Sequence, residues 1–218
     1  MNIVLQIQKD IQKIEGRKTK EYRDIAKSYK KEIGKLELSK IYDLCEKLLK
    51  NRGRGEATIA YQIIFDNKDK YNEKTFDVFE KWLYRYIEDW WDCDDFMTHA
   101  FYDVLMKYPE NVNRLKKWTK SPNFAVRRSA AVILIRPAQK GLLNQNQIFE
   151  ICDLLIEDSH YLVQKGYGWL LKESVKSYHN SVIEYLEKNV KSMSRIAFRY
   201  ALEKLPKEEK SRLMSKAF

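Results

Sequence analysis

The segment Asp89-Trp-Trp-Asp-Cys-Asp-Asp-Phe96 places two indoles immediately before three acids within five residues. On a helix, Asp95 falls four residues after Trp91 and shares its face. A carboxylate beside an aromatic face suits a reaction whose transition state is cationic, because both groups attract positive charge. Each residue also has a plainer reading. Trp90 and Trp91 sit where a helix would begin, and Asp92 reads as its N-cap or as a first-turn acid serving the helix dipole. A tryptophan on a helix is most often core.

Two other patches carry comparable residues. Ala125-Val-Arg-Arg-Ser-Ala-Ala131 sets paired arginines before small residues, and Val163-Gln-Lys-Gly-Tyr-Gly-Trp-Leu-Leu171 sets a lysine and a tryptophan among glycines. Arg127, Arg128, Lys165, Arg195 and Arg199 fall on successive helices, where they could follow a polyanion or simply solvate helix faces. Trp169, with Gly166 and Gly168 nearby, reads equally as a packing pair.

These groups need a scaffold, and helical periodicity supplies it nearly throughout. Ile3, Ile7, Ile11 and Ile14 step by three or four, and Gly16 ends that helix. Further helices are expected at about 19–33, 37–50, 56–67, 72–86 and 92–107. The second half continues at 110–119, 122–136, 145–157, 161–177, 181–190, 192–204 and 208–215. Seven glycines and four prolines are too few for a sheet-rich fold. Short connections make consecutive helices antiparallel neighbours. Residues 121–134 align with 158–171 at an offset of 37, matching Val126 to Val163 and Arg128 to Lys165. That period, one helix pair per unit, predicts an all-α superhelix of HEAT-like or armadillo type, a solenoid with a concave face.

Composition limits the rest. The chain has 218 residues, 44% hydrophobic and 33% charged, which excludes a disordered chain. Forty-one basic against 31 acidic residues give a net charge of +10, which attracts polyanions, nucleic acid first among them. Cys45, Cys93 and Cys152 are odd in number and lack a CxxC, and His99, His160 and His179 are scattered, so neither a disulfide framework nor a metal site is expected. The first residues lack the apolar core of a signal peptide and no run approaches a membrane span. The reading is a cytoplasmic protein without a membrane partner.

Trp-Trp-Asp-x-x-Asp, then Arg-x-Ala-Ala, then Gln-Lys-x-x-Gly-Trp-x-Leu-Lys-Glu resembles the DNA alkylation repair (AlkD-type) family of HEAT-like repeat DNA glycosylases, from about residue 56 to about 204. The resemblance implies a single domain over 1–218, with divergent N-terminal helices in 1–52, family-like repeats in 53–205 and a C-terminal helix in 206–218. It implies a monomer, in a bacterial cytoplasm or nucleoid, that cradles double-stranded DNA. It also implies excision of cationic N3- and N7-alkylpurines without metal or redox cofactor, the base remaining stacked. Carried over by position, Asp95 is the catalytic carboxylate, Trp91 and Trp169 are aromatic walls against the deoxyribose, and Arg128 grips the backbone. Arg127, Lys165 and Trp90 are further candidates for DNA contact. The chain departs from the family pattern near its start. Only Gly16-Arg-Lys18 stands where the family has an additional helix expected to enter the minor groove. A catalytically silent relative, binding DNA weakly or binding protein, is the alternative reading, and a helical scaffold unrelated to DNA is a third.

Overall fold

The computed structural model describes residues 2–16 and 18–217; Arg17, in the short connection noted above, lies outside them. Among the described residues there are helices and connections and no strand. The fold is all-α and of the helical-repeat type. It divides into two compact units, Met1–Tyr108 and Pro109–Phe218.

The first unit holds α1 (Ile3–Lys13), α2 (Thr19–Ser28), α3 (Lys30–Ile33), α4 (Leu38–Leu49), α5 (Arg54–Asp66), α6 (Thr75–Tyr86), α7 (Trp90–Phe96) and α8 (Tyr102–Lys107). A π-helical turn, Met97–Phe101, joins α7 to α8. Helix α1 has one buried residue, Ile7, and its helical turns end at Lys13 rather than at Gly16. The helix expected over 19–33 breaks at Tyr29, whose hydroxyl donates to Asp10 on α1 at 2.6 Å. Helix α5 is the central element. Its residues from Gly55 to Ile64 are all buried except Glu56, because helices flank it on several sides. Beside it lies an aromatic core: Phe96 stacks on Tyr61 with ring centres 4.7 Å apart, and Phe79 stacks on Trp82 at 5.3 Å.

The second unit holds α9 (Leu115–Trp118), α10 (Phe124–Val132), α11 (Ile135–Gln139), α12 (Gln145–Leu155), α13 (Tyr161–Asn189), α14 (Arg195–Ala201) and α15 (Lys207–Ala217). The two helices expected at 161–177 and 181–190 form one path that bends at Tyr178, where φ is −133° and ψ is 41°. At the bend the chain is tied to a distant connection: the Tyr178 hydroxyl donates to the Leu143 carbonyl at 2.5 Å and accepts from the Leu143 amide at 3.3 Å.

The 37-residue repeat recurs in the bonds at the start of each copy. Asn123 caps α10 by accepting from the Ala125 amide, and His160, its counterpart, caps α13 by accepting from the Leu162 amide. Arg127 donates to the Ser121 carbonyl, and Gln164, in the equivalent place, donates to the Asp158 carbonyl. Side-chain bonds also tie neighbouring pairs together within each unit. Tyr42 with Thr75, Gln62 with His99 and Lys107 with Tyr71 join residues 33 to 37 apart in the first unit, as Gln139 with Glu173 and Tyr178 with Leu143 do in the second. Each bond therefore spans about one repeat, as stacked helix pairs require.

Small residues allow α13 and α14 to touch. A Cβ on Gly168 would stand 2.7 Å from the Ala197 carbonyl oxygen and 3.0 Å from its Cα, and backbone cannot give way as a side chain can. Gly168→Ala should lower stability by about 1–3 kcal/mol despite its better helix propensity, read as a lower urea midpoint with an unchanged slope.

Candidate functional site

The Asp89–Phe96 segment owes its shape to its own acids. Asp89 is the N-cap of α7, accepting from the Trp90 amide, and Asp92, three residues into the helix, reaches back to complete a capping box. The Asp92 carboxylate accepts from the Asp89 amide at 3.0 Å, the Glu88 amide at 3.0 Å and the Cys93 amide at 2.8 Å. Burial pushes its pKa up to about 7, against the pull of the Cys93 and Asp89 amides. Of the acids in this segment, Asp92 is thus committed to starting the helix. Cys93 and Phe96 face the core, which turns Trp90, Trp91, Asp94 and Asp95 toward solvent and toward α2 and α5.

These four residues line an open cleft of about 240 Å³ together with Thr19, Arg23, Arg54, Thr58 and Thr98. Trp91 and Asp95 thus share one recess, as their spacing required. Trp90 is 48% exposed, whereas the Asp95 side chain is only 13% exposed. Arg23 of α2 donates from Nη2 to Asp95 Oδ1 at 2.6 Å, and the Thr58 hydroxyl of α5 donates to the same carboxylate. Burial lifts the Asp95 pKa above its ordinary value, and this outweighs the opposing pull of Arg23, of Thr58 and of the more distant Arg54.

Helix packing sets where Arg23 stands. Helix α2 closes on α5 through Tyr22, whose ring lies where a Gly55 Cβ would be, only 2.7 Å from the nearest ring carbon. The glycine that permits this approach belongs to Asn51-Arg-Gly-Arg-Gly55, a stretch whose sequence suggests only a break. In the structure α5 has already begun at Arg54. The same stretch supplies Arg54, whose guanidinium carbon lies 5.7 Å from the Trp91 ring centre. Arg52, two residues earlier, is paired with Glu88 and donates to the Arg85 carbonyl.

In the second unit, Trp169 lies half-buried on α13 and its indole N–H donates to Glu173 at 3.3 Å. Glu173 also takes Lys204 at 2.5 Å and Gln139, so this indole is held in a polar bracket. Lys165 is half-exposed, with its ammonium 5.5 Å from the Tyr161 ring centre. The two arginines of α10 turn inward. Arg128 is 5% exposed, lies across Gly166 and donates to the Leu162 carbonyl at 2.5 Å. Arg127 pairs with Asp158 at 2.5 Å and 3.2 Å and donates to the Ser121 and Pro122 carbonyls. No group of three or more His, Cys, Asp or Glu residues that could hold a metal ion occurs among the described residues. No helix among them is long and apolar enough to cross a membrane.

Comparison with known proteins agrees with this arrangement of helices. The family model described as DNA alkylation repair enzyme matches residues 5–205. The chain belongs to the DNA alkylation repair enzyme family. Its fold is similar to that of a solved structure described as a predicted DNA alkylation repair enzyme from Enterococcus faecalis. The TM-score is 0.78 and the identity 19%, over 88% of each chain. No curated protein matches the sequence. Family membership makes DNA the expected partner, in keeping with a net charge of +10.

For a DNA alkylation repair family member, the residues that sequence reasoning missed are those around the carboxylate: Arg23, Thr58 and Arg54. Arg23 lies 72 positions from Asp95, and no local spacing signals the pairing. In the second unit, the internal bonds of Arg127 give it a measurable structural task. Arg127→Ala would strand the nearly buried Asp158 and should cost about 3 kcal/mol in denaturant unfolding. An unchanged midpoint with weakened DNA binding would instead assign Arg127 to the nucleic acid.

Proposed function

We propose that the chain excises cationic N3- and N7-alkylated purines from double-stranded DNA by hydrolysing the N-glycosidic bond. The observation that carries this reading is Asp95, a nearly buried carboxylate in a cleft walled by Trp90 and Trp91. Alkylation gives the purine a positive charge, so the base leaves as a neutral molecule with the bonding pair. Positive charge then builds on the deoxyribose. A carboxylate about 4 Å away stabilises such a charge by about 4 kcal/mol at an effective dielectric of 20, and an indole face adds about 0.5–2 kcal/mol. Water completes the reaction by adding to C1′ and losing a proton, which leaves an abasic site. Trp91 lines the cleft with Asp95 as an aromatic wall, and Trp169 of the second unit is proposed as a further indole that meets the DNA. Lys165, half-exposed on α13, is proposed as a phosphate contact. Arg128, proposed to grip the backbone, is 5% exposed and spends one of its N–H groups on the Leu162 carbonyl. The reading invokes no metal and no cofactor.

The alternative, a catalytically silent DNA-binding or protein-binding member, draws on one specific observation. The Arg23 guanidinium already neutralises Asp95 at 2.6 Å.

The deciding experiment incubates the protein with duplex DNA carrying N7-methylguanine and measures free base by chromatography. Release is expected from the wild type, with at least a hundredfold loss in Asp95→Asn. A wild type that releases nothing leaves the silent reading. The acid limb of the rate should identify the carboxylate further. Activity needs the ionised form, and the Asp95 pKa is raised above 3.8, so the rate should fall as pH drops through a value above the ordinary aspartate range. Arg23→Gln removes a neighbouring positive charge, raises that pKa further and should move the limb to higher pH. A limb that does not move would separate Arg23 from the titrating group.

A further inference from the structure

The cleft contains two arginines with different employment. Arg23 is spent on Asp95. Arg54 is exposed and lines the same recess; its guanidinium lies over the Trp91 ring and acts on Asp95 through charge alone, with no hydrogen bond or ion pair to it among the described residues. Asp94 and Asp95 line the cleft as well, and they pose an electrostatic problem for any polyanion laid over it. A DNA strand that brings a sugar to Asp95 also brings the phosphates on either side of that sugar within one nucleotide's reach. Two carboxylates repel them, and the repulsion is strongest where burial lowers the local dielectric. A cleft of this kind needs a local cation that its own acids have not consumed.

The geometry points to Arg54 as a phosphodiester subsite of the cleft. It holds the phosphate next to the sugar that faces Asp95 and offsets the charge of Asp94 and Asp95. A guanidinium suits the task because its fork can take two phosphate oxygens while its flat face stays against an indole. The anchor on Trp91 holds the side chain over the cleft before DNA arrives, which reduces the entropy lost on binding. The assignment rests on the reading that a DNA strand lies across this cleft, but not on excision.

The test is therefore made on unmodified duplex DNA, by fluorescence anisotropy at several salt concentrations. Arg54→Gln should weaken binding and reduce the slope of log K against log salt by about 0.9, the value of one phosphate contact, while Arg54→Lys should keep most of that slope. Exposure of Arg54 makes the variant's fold safe to compare, and thermal melting checks it. The site-specific readout is a double-mutant cycle with Asp95→Asn. If Arg54 offsets the cleft's acids, the affinity lost by Arg54→Gln should be clearly smaller in the Asp95→Asn background than in the wild type. Losses that are equal in the two backgrounds overturn the subsite and leave Arg54 an ordinary surface cation. So does an unchanged salt slope, or a wild type with no measurable affinity for duplex at 50 mM salt. Coupling without methylpurine release would keep the phosphate subsite and dismiss the glycosylase reading, so the two failures remain distinct.

Discussion

The contact between Arg23 and Asp95 organises the first unit's site. Moving a carboxylate out of water costs several kcal/mol unless charge and hydrogen bonds are returned to it. Here two helices return them: α2 brings a guanidinium and α5 brings the Thr58 hydroxyl. That arrangement requires α2 to lie close against α5, which the missing side chain of Gly55 permits. Local packing and local chemistry are therefore one constraint. A change that lifts α2 from α5 also changes the charge state of Asp95.

The acids of the Asp89–Phe96 segment illustrate how one short stretch divides its labour. Asp89 and Asp92 are consumed by the amides at the start of α7. With the helix start satisfied from within the segment, Trp91 and Asp95 are left to face the cleft. The second unit uses a similar economy at the starts of α10 and α13, where equivalent caps and equivalent side-chain bonds recur one repeat apart. Such bonds depend on a few residue types at fixed places. The fold as a whole is similar to that of the enterococcal structure at 19% identity over 88% of each chain.

Much of this was legible in the residues. Helix positions followed from apolar periodicity, and the repeat from the alignment of 121–134 with 158–171. The shared face of Trp91 and Asp95 followed from their spacing. What escaped was long-range or competitive. Tyr29 lies at a helix break, and its hydroxyl reaches Asp10 on α1. Tyr178 lies at the bend in α13, and its hydroxyl is held by Leu143. The guanidinium of Arg128 turns inward because Gly166 leaves room for it and the Leu162 carbonyl accepts its proton. None of these partners is near in sequence. A basic side chain on a helix face reads the same whether it will meet solvent, phosphate or a carbonyl one repeat away.

The π-helical turn at Met97–Phe101 has a consequence for how this region can vary. It carries one surplus residue between the segment that bears Asp95 and the segment that packs α8 into the core. An α-helix advances about 100° per residue, so a surplus residue that the turn did not absorb would rotate one segment against the other by that angle. Losing a single residue there would restore an unbroken α-helix with the two segments near their present phase, because the turn already absorbs the surplus. The turn therefore lets α7 keep Trp91 and Asp95 at the cleft while Met97, Ala100 and Phe101 stay buried, and the site is held in phase by a local widening of the helix.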